Sequence, residues 1–340
     1  MIRGSVKEAM TFQLGLSADF KKADGTLGWG DIGLSELAEY PEIAWEFLPD
    51  YGSEIAPEVV NQYDALLVLA PRVTAHTLQR RGRLKLIARF GVGYDSVDVR
   101  ACTKAGVALT ITPDGVRRPV AVGALALVLA VTHNVVAKDA LTRSGRWGDK
   151  LDYMGMGLTG KVLGIIGLGN IGREFATLLA PLDVRCQAYD PYANEEVAGK
   201  LGVALVDLET LMRTSDIVCI MASLTAETQH LVGAKELAQM KPSGYIVNVG
   251  RGPIVDQRAL TKALSSGQIR GAALDVFEAE PPDPEDPLFS LENVVVAPHA
   301  IAWTDELALG IGRSALRAII AVAQGRRPEY IVNPEVFGEA

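Results

Sequence analysis

The chain has 340 residues, of which 49% are hydrophobic and 22% are charged. This length exceeds the usual size of a single hydrophobic core, so we expect two domains. The formal net charge of −8 argues against nucleic acid as a partner, because an acidic surface repels phosphate backbones.

The cysteines and histidines show no CxxC pair and no spacing typical of metal ligands. We therefore expect no metal site and a reducing, cytoplasmic location. The N-terminal segment lacks the apolar run of a signal peptide. The richest apolar stretch, 121–131, is too short to cross a bilayer, so it predicts a buried helix and no membrane partner.

Short apolar runs alternate with helical patterns along the whole chain. Most of these runs are continuous, which is typical of strands that are buried on both faces of a parallel sheet. They fall into two series, and each series predicts one doubly wound α/β unit. The first series comprises 12–16, 43–48, 65–69 and 86–90, and the second comprises 162–166, 184–189, 217–221, 245–249, 272–276 and 294–297.

One long helix, from Pro119 to about Ala140, is predicted between the two series. Pro119 suits a first helical turn, and Ala124, Leu127 and Val131 recur at helical spacing. Further upstream, the glycine-rich segment 21–31 follows the first strand. It predicts a surface loop, with a lid over a ligand site as the alternative.

The clearest motif is a glycine-rich turn at the end of the strand 162–166. It comprises Gly167, Gly169 and Gly172, with Asn170 and Ile171 between the last two. The first glycine permits a tight turn, the second leaves room for a pyrophosphate, and the third lets a helix pack closely on the strand. The N-terminus of that helix attracts phosphates, so the motif predicts a dinucleotide site.

Asp190 ends the next predicted strand, where a carboxylate can accept hydrogen bonds from an adenosine ribose. A 2′-phosphate would meet negative charge there, and residues 191–193 supply no arginine. We therefore expect NAD rather than NADP. The alternative is an aspartate that only caps a turn.

Two further polar residues follow buried strands, Arg251 between two glycines and His299 in the sequence APHA. A guanidinium can grip a substrate carboxylate with two parallel hydrogen bonds, although Arg251 could instead fasten its own loop. A histidine can give a proton to the alkoxide that forms when a ketone is reduced, and can remove that proton in the reverse direction. Several carboxylates follow the strand 272–276, and chemistry alone does not choose the one that works with His299.

In this order, the motifs GLGNIG, NVGRG, DVFEAEP and APHA resemble those of the D-isomer-specific 2-hydroxyacid dehydrogenase family, over about residues 64–333. The resemblance implies that Arg251, Glu280 and His299 are catalytic. It also implies that Thr225 and Asp275 contact the cofactor. In the upstream sequence RFGVGYD, it implies that the N–H groups of Val92 and Gly93 bind the substrate carboxylate, as a glycine-rich turn can.

The family's architecture implies a Rossmann cofactor domain, residues 114–301, inserted into a flavodoxin-like substrate domain, residues 1–113 and 302–340. It also implies NAD, a small 2-hydroxy or 2-oxo acid as substrate, and a homodimer that forms through the cofactor domain. The chain departs from the family at three places, which leave the subfamily open. Val122 replaces the acid of V-A-E, Ser223 replaces the proline of Pro-Leu-Thr, and Gly250 replaces a small residue with a Cβ.

Arg72, Arg117 and Arg118 suggest a hypothesis about the substrate. One of them would bind a second polar or anionic group on it, and the alternative is a surface salt bridge. Three other protein classes share part of this pattern. Formate dehydrogenases typically have glutamine at the position of Glu280, methyltransferases would not need the three catalytic residues, and NAD-binding corepressors keep them while binding peptides.

Overall fold

The computed structural model describes residues 11–50 and 52–338, and the chain divides into two compact units. Unit 1 comprises Met1–Val116 and Trp303–Ala340, and unit 2 comprises Arg117–Ala302. The domain boundaries predicted from the sequence lie within a few residues of these limits.

The described strands are β1 (Phe12–Leu16), β2 (Ile43–Phe47), β3 (Ala65–Val68), β4 (Leu86–Arg89), β5 (Ala108–Thr110), β6 (Val162–Ile166), β7 (Arg185–Tyr189), β8 (Ala204–Leu205), β9 (Ile217–Ile220), β10 (Tyr245–Asn248), β11 (Gly271–Leu274) and β12 (Val294–Val296). The described α-helices are α1 (Pro57–Val60), α2 (Val99–Ala105), α3 (Pro113–Thr132), α4 (Val135–Arg143), α5 (Asn170–Leu179), α6 (Glu195–Lys200), α7 (Leu208–Thr214), α8 (Ala234–Gln239), α9 (Gln257–Ser265) and α10 (Asp305–Ala323).

Each unit contains one parallel sheet. The order is β2-β1-β3-β4-β5 in unit 1 and β12-β11-β10-β9-β6-β7-β8 in unit 2. The central strands β3, β9, β10 and β11 are buried along their whole length, as their continuous apolar sequences predict. The predicted fold class, two parallel-sheet α/β domains, is therefore confirmed.

All ten predicted strands are present, with ends that differ by a residue or two. Two short strands, β5 and β8, were not predicted. They have three and two residues, so neither is long enough to show a recognisable pattern. Both lie at an edge of their sheet.

The prediction of one helix from Pro119 to Ala140 is wrong. α3 begins at Pro113, so Pro119 lies inside it and lacks the N–H for one helical hydrogen bond. The helix ends at Thr132, and a second helix begins at Val135. Between them Asn134 has a φ of 52°, a left-handed conformation that asparagine tolerates better than most residues and that breaks the helical hydrogen-bond ladder.

By length and composition alone, α3 is long and apolar enough to cross a membrane. More than half of its most apolar stretch is buried inside the structure, and the buried core helix of a soluble protein can have the same length and composition. Ala121, Leu127 and Val131 belong to the hydrophobic cluster that also contains Leu163 and Phe175. The stretch predicted as a buried helix is therefore part of the core of unit 2.

Candidate active site

The glycine-rich turn between β6 and α5 has the geometry that a dinucleotide needs. Gly167 has a φ of 95°, and a Cβ there would lie 2.7 Å from the backbone of Ala222. A Cβ on Gly172 would lie 2.3 Å from the carbonyl oxygen of Gly167. A Cβ on Gly169 would meet nothing within 4 Å, so this side of the turn is open. The first and third glycines are required by close packing, and the second leaves space for a phosphate.

α5 begins at Asn170, directly after Gly169, which provides no side-chain acceptor for the first turn. Ile171 and Gly172 follow within this turn, where backbone N–H groups lack helical partners and can bind an anion. Asp190 lies beside the same turn. Its Oδ2 accepts a hydrogen bond from the Leu168 N–H at 2.8 Å.

The other oxygen of Asp190 accepts a hydrogen bond from the Tyr192 N–H at 2.9 Å. Asp190 therefore also caps its own turn, as the alternative predicted. A carboxylate oxygen can accept more than one hydrogen bond, so these two bonds leave capacity for a ribose hydroxyl. The turn, the helix start and this carboxylate together fit a dinucleotide.

Arg251 follows β10 in a loop that a buried asparagine holds in place. Asn248, only 1% exposed, donates to the carbonyl oxygen of Arg251 at 3.0 Å and accepts from the Gly250 N–H at 3.0 Å. One guanidinium N–H of Arg251 donates to the Gly250 oxygen at 2.8 Å, so Arg251 also fastens its own loop. The sequence analysis missed Asn248, although a polar residue that ends a buried strand was an available signal.

Gly252 brings the Arg251 loop against the loop after β11. A Cβ on Gly252 would lie 1.9 Å from the backbone of Phe277, so only glycine permits this approach. Three residues beyond Phe277 stands Glu280. The contact between these loops explains why the charge of Arg251 acts on the Glu280 carboxylate.

Glu280 is the carboxylate that the structure pairs with His299. Its Oε2 lies 2.8 Å from His299 Nδ1, and its Oε1 accepts from the Phe277 N–H at 3.1 Å. Burial opposes its ionisation, but the hydrogen bonds from His299 and Phe277 and the charge of Arg251 outweigh burial and lower the pKa of Glu280. Glu280 is therefore ionised at neutral pH, as a partner that orients a histidine must be.

Asp275 fixes the backbone directly after His299. Its Oδ1 accepts hydrogen bonds from the N–H groups of Ala300, at 2.9 Å, and Ile301, at 3.0 Å. Burial raises the pKa of Asp275, although both of these bonds act against the rise. His299 itself has a φ of 54°, a left-handed conformation that is uncommon for this residue type and that neighbouring contacts must maintain.

Thr225 lies in the loop after β9, at the same carboxyl edge of the sheet of unit 2. Its N–H donates to the hydroxyl oxygen of Thr228 at 2.7 Å, and the Thr228 hydroxyl donates to the Ser223 carbonyl oxygen at 2.7 Å. The loop is therefore a compact, exposed turn. The cofactor contacts of Thr225 and Asp275 stay predictions.

In unit 1, Val92 and Gly93 form part of a turn after β4, and both are partly exposed. The turn is anchored by Gly91, whose N–H donates to the Thr112 hydroxyl at 3.0 Å. The segment 21–31 packs beside it, since the rings of Trp29 and Phe90 are in edge-on contact with their centroids 5.1 Å apart. The predicted surface loop is thus fastened to the strand end that carries the turn.

The structure gives Arg117 and Arg118 a salt-bridge partner. Both pair with Glu174 on α5, with N–O distances of 3.3 Å for Arg117 and 2.9 Å for Arg118. This arrangement matches the salt-bridge alternative rather than substrate binding. Arg72 is exposed in unit 1, where its main-chain N–H donates to the Ser53 carbonyl oxygen at 2.8 Å. A substrate role for Arg72 or Arg118 stays a hypothesis.

Among residues 11–50 and 52–338, no group of three or more His, Cys, Asp or Glu side chains is arranged to hold a metal ion. The carboxyl edge of the sheet in unit 2 instead combines a dinucleotide-type turn with an arginine, a glutamate and a histidine. The fold and this site define a nucleotide-dependent oxidoreductase.

Comparisons with known proteins agree with this class. The family model for the NAD-binding domain of D-isomer specific 2-hydroxyacid dehydrogenases matches residues 125–300. The chain is 38% identical over 309 residues to a protein named glyoxylate reductase from Korarchaeum cryptofilum, covering 89% of this chain and 93% of the relative. It is 38% identical over 275 residues to a protein named D-3-phosphoglycerate dehydrogenase from Archaeoglobus fulgidus, covering 81% of this chain and 52% of the relative.

The structure is similar to the crystal structure of the TT0316 protein from Thermus thermophilus. The TM-score is 0.83 at 29% identity, covering 94% of this chain and 100% of the other. The chain therefore belongs to the D-isomer-specific 2-hydroxyacid dehydrogenase family and is an NAD-dependent enzyme. The expectations of family, cofactor and enzyme class are confirmed.

Proposed function

We propose that the enzyme interconverts a small D-2-hydroxy acid and its 2-oxo acid, with His299 as the acid and base. The observation that carries this proposal is the 2.8 Å pairing of His299 Nδ1 with the ionised Glu280. The pairing favours a ring whose Nδ1 carries the proton and leaves Nε2 to act on the substrate.

Proton transfer follows from this geometry. In reduction, the imidazolium of His299 gives its Nε2 proton to the alkoxide oxygen that develops at C2, and Glu280 stabilises the charged ring beforehand. In oxidation, neutral Nε2 takes the proton from the substrate hydroxyl. Bound NAD supplies the hydride acceptor for oxidation and, as NADH, the hydride donor for reduction.

Arg251 binds the substrate carboxylate in this proposal, because a guanidinium matches two carboxylate oxygens at once. Separately, in unit 1, we assign the N–H groups of Val92 and Gly93 to binding a substrate carboxylate. The residues that hold NAD are the glycine turn from Gly167 to Gly172, together with Asp190. We rank glyoxylate first among substrates because several relatives carry the name glyoxylate reductase.

The test is a panel of 2-oxo acids: glyoxylate, hydroxypyruvate, its 3-phosphate, pyruvate and phenylpyruvate. Each is assayed with NADH and with NADPH. We expect NADH oxidation with at least one acid, and a kcat/KM at least about tenfold lower with NADPH, because its 2′-phosphate would meet Asp190. No turnover by an enzyme that binds NADH would instead favour a corepressor-like role, and a preference for NADPH would contradict the role of Asp190.

A homodimer through unit 2 is part of the proposal. Large apolar side chains on α4 and the following segment are exposed, among them Val136 at 54%, Trp147 at 64% and Leu151 at 75%. Exposed apolar patches of this kind mark interaction sites. Light scattering should give twice the chain mass of 36.3 kDa, and a single-chain mass would refute the dimer. We also place the enzyme in the cytoplasm, where its cysteines (Cys102, Cys186 and Cys219) would stay reduced.

A further inference from the structure

A second histidine–carboxylate pair lies in unit 2, outside the proposed catalytic set. Nε2 of His230 lies 2.7 Å from Oε1 of Glu278. The two side chains are 48% and 32% exposed, so water screens their charges. An ion pair of this kind contributes little stability by itself, so we look for its role in the segments that it holds in place.

Glu278 is also bonded to the first residue of α9. The main-chain N–H of Glu278 donates to Oε1 of Gln257 at 3.1 Å, and Oε1 of Glu278 accepts from the main-chain N–H of Gln257 at 3.4 Å. The side-chain amide of Gln257 donates in turn to Asp286 at 2.7 Å. We call the chain of His230, Glu278 and Gln257 the bracing network.

The bracing network joins the loop after β9 to the loop after β11 and to α9, and it lies beside the loop after β10. His230 stands five residues after Thr225, and its N–H donates to the Pro253 carbonyl oxygen at 2.8 Å. Pro253 stands two residues after Arg251. The loop with the predicted cofactor contact and the loop with the substrate-binding arginine are therefore held together beside the network.

Glu278 lies inside the turn that carries Glu280. This turn is closed by the hydrogen bond from the Phe277 N–H to Glu280 Oε1 at 3.1 Å. His230 holds the side chain of Glu278, and Gln257 holds both its side chain and its main chain. These bonds restrict how far the turn can shift, and with it the carboxylate that faces His299.

We propose that the bracing network positions Glu280 against His299 and thereby sets the rate of proton transfer. This inference rests on the proposed function, in which His299 is the acid and base. His230 and Glu278 are positioning residues, because they act through Glu280. A small displacement of a catalytic group lowers the rate much more than it lowers stability.

The kinetic test compares three variants with the best acid of the panel. Glu278→Ala should lower kcat about tenfold, with KM and NADH affinity unchanged, because alignment and not binding is lost. Glu278→Gln keeps an oxygen acceptor and the main-chain bonds, so it should retain most of kcat. Glu285→Ala, which removes an exposed glutamate from the same loop, is the matched control and should behave as wild type.

The inference is overturned if Glu278→Ala keeps the wild-type kcat, or if Glu278→Gln loses as much as Glu278→Ala. A fall in kcat accompanied by a raised KM and a lowered melting temperature would also overturn it, since this pattern reports general loosening. His230→Ala should match Glu278→Ala, and the double variant should be no worse than either, because both changes break one network.

A spectroscopic test does not depend on turnover. The ¹⁵N shifts of the neutral His299 ring report which nitrogen carries the proton. The wild type and Glu278→Gln should show the proton on Nδ1, and Glu278→Ala should show a mixture of both forms. An unchanged tautomer in Glu278→Ala would overturn the inference. If the wild type reduces no acid, the proposed function fails, while the tautomer comparison still decides whether the network positions Glu280.

Discussion

Replacing His299 with asparagine is expected to lower kcat for 2-oxo acid reduction about 10²- to 10⁴-fold, the usual contribution of a positioned acid or base. Nδ1 of His299 is bonded to Glu280 at 2.8 Å, so in the proposed mechanism Nε2 is the nitrogen left to act on the substrate. Asparagine can still donate to Glu280 but cannot carry a transferable proton. Steady-state kinetics with the preferred acid measure the loss.

The matched control is His76→Asn, the same chemical change at an exposed site in unit 1. It should leave kcat at the wild-type value. NADH affinity, followed by fluorescence titration, should be unchanged in both variants because neither residue belongs to the glycine turn. A His299→Asn enzyme with wild-type kcat would remove histidine from the mechanism.

Replacing Arg251 with lysine is expected to lower kcat/KM about 10²-fold. Lysine keeps the positive charge but loses the planar pair of donors, and hydrogen bonds to charged groups contribute about 1.5–3 kcal/mol each. Most of the loss should appear in KM, because carboxylate binding precedes the chemical step. kcat should fall less than kcat/KM, because lysine retains the positive charge that acts on Glu280.

Arg258→Lys is the control for this change, since Arg258 is an exposed arginine on α9, a few residues further along the chain. Its kinetics should match those of the wild type. Inhibition by oxamate, a carboxylate analogue of a 2-oxo acid, should weaken in parallel with KM in Arg251→Lys. Unchanged KM and unchanged oxamate inhibition would show that the arginine only fastens its loop.

Much of this site could be predicted because its signals are local in sequence. The continuous apolar run of β6 followed by Gly167, Gly169 and Gly172 encodes a buried strand, a tight turn and a helix within a dozen residues. Arg251 and His299 could likewise be located because each follows a buried strand of the same parallel sheet. Strand ends on one sheet edge converge in space, so separate motifs could be expected at one site.

The remaining features depend on contacts between distant residues, which local patterns do not encode. Chemical reasoning from the sequence could not decide which of Asp275, Glu278 and Glu280 works with His299. All three carboxylates follow one strand and differ only in their partners. The structure separates them by pairing the first with backbone N–H groups, the second with His230 and the third with His299. The resemblance to the family, and not the pattern itself, pointed to Glu280.

The break between α3 and α4 is a second feature that the sequence pattern did not predict. The apolar spacing continues past Asn134, so periodicity predicts one uninterrupted helix. The left-handed conformation of that single residue ends it, and asparagine permits this conformation without requiring it. The salt bridges of Arg117 and Arg118 were foreseen only as an alternative, because their partner Glu174 lies more than 50 residues away in the sequence.

The most direct test of the central claim follows the hydrogen that reaches C2. An accepted 2-oxo acid whose product is chiral at C2, such as hydroxypyruvate or pyruvate but not glyoxylate, is reduced with NADH that carries deuterium at the transferred position of C4, and the product is analysed by mass spectrometry and chiral chromatography. The proposed function predicts a 2-hydroxy acid with one deuterium at C2 and only the D configuration. Product without deuterium at C2, or product of the L configuration, would contradict it.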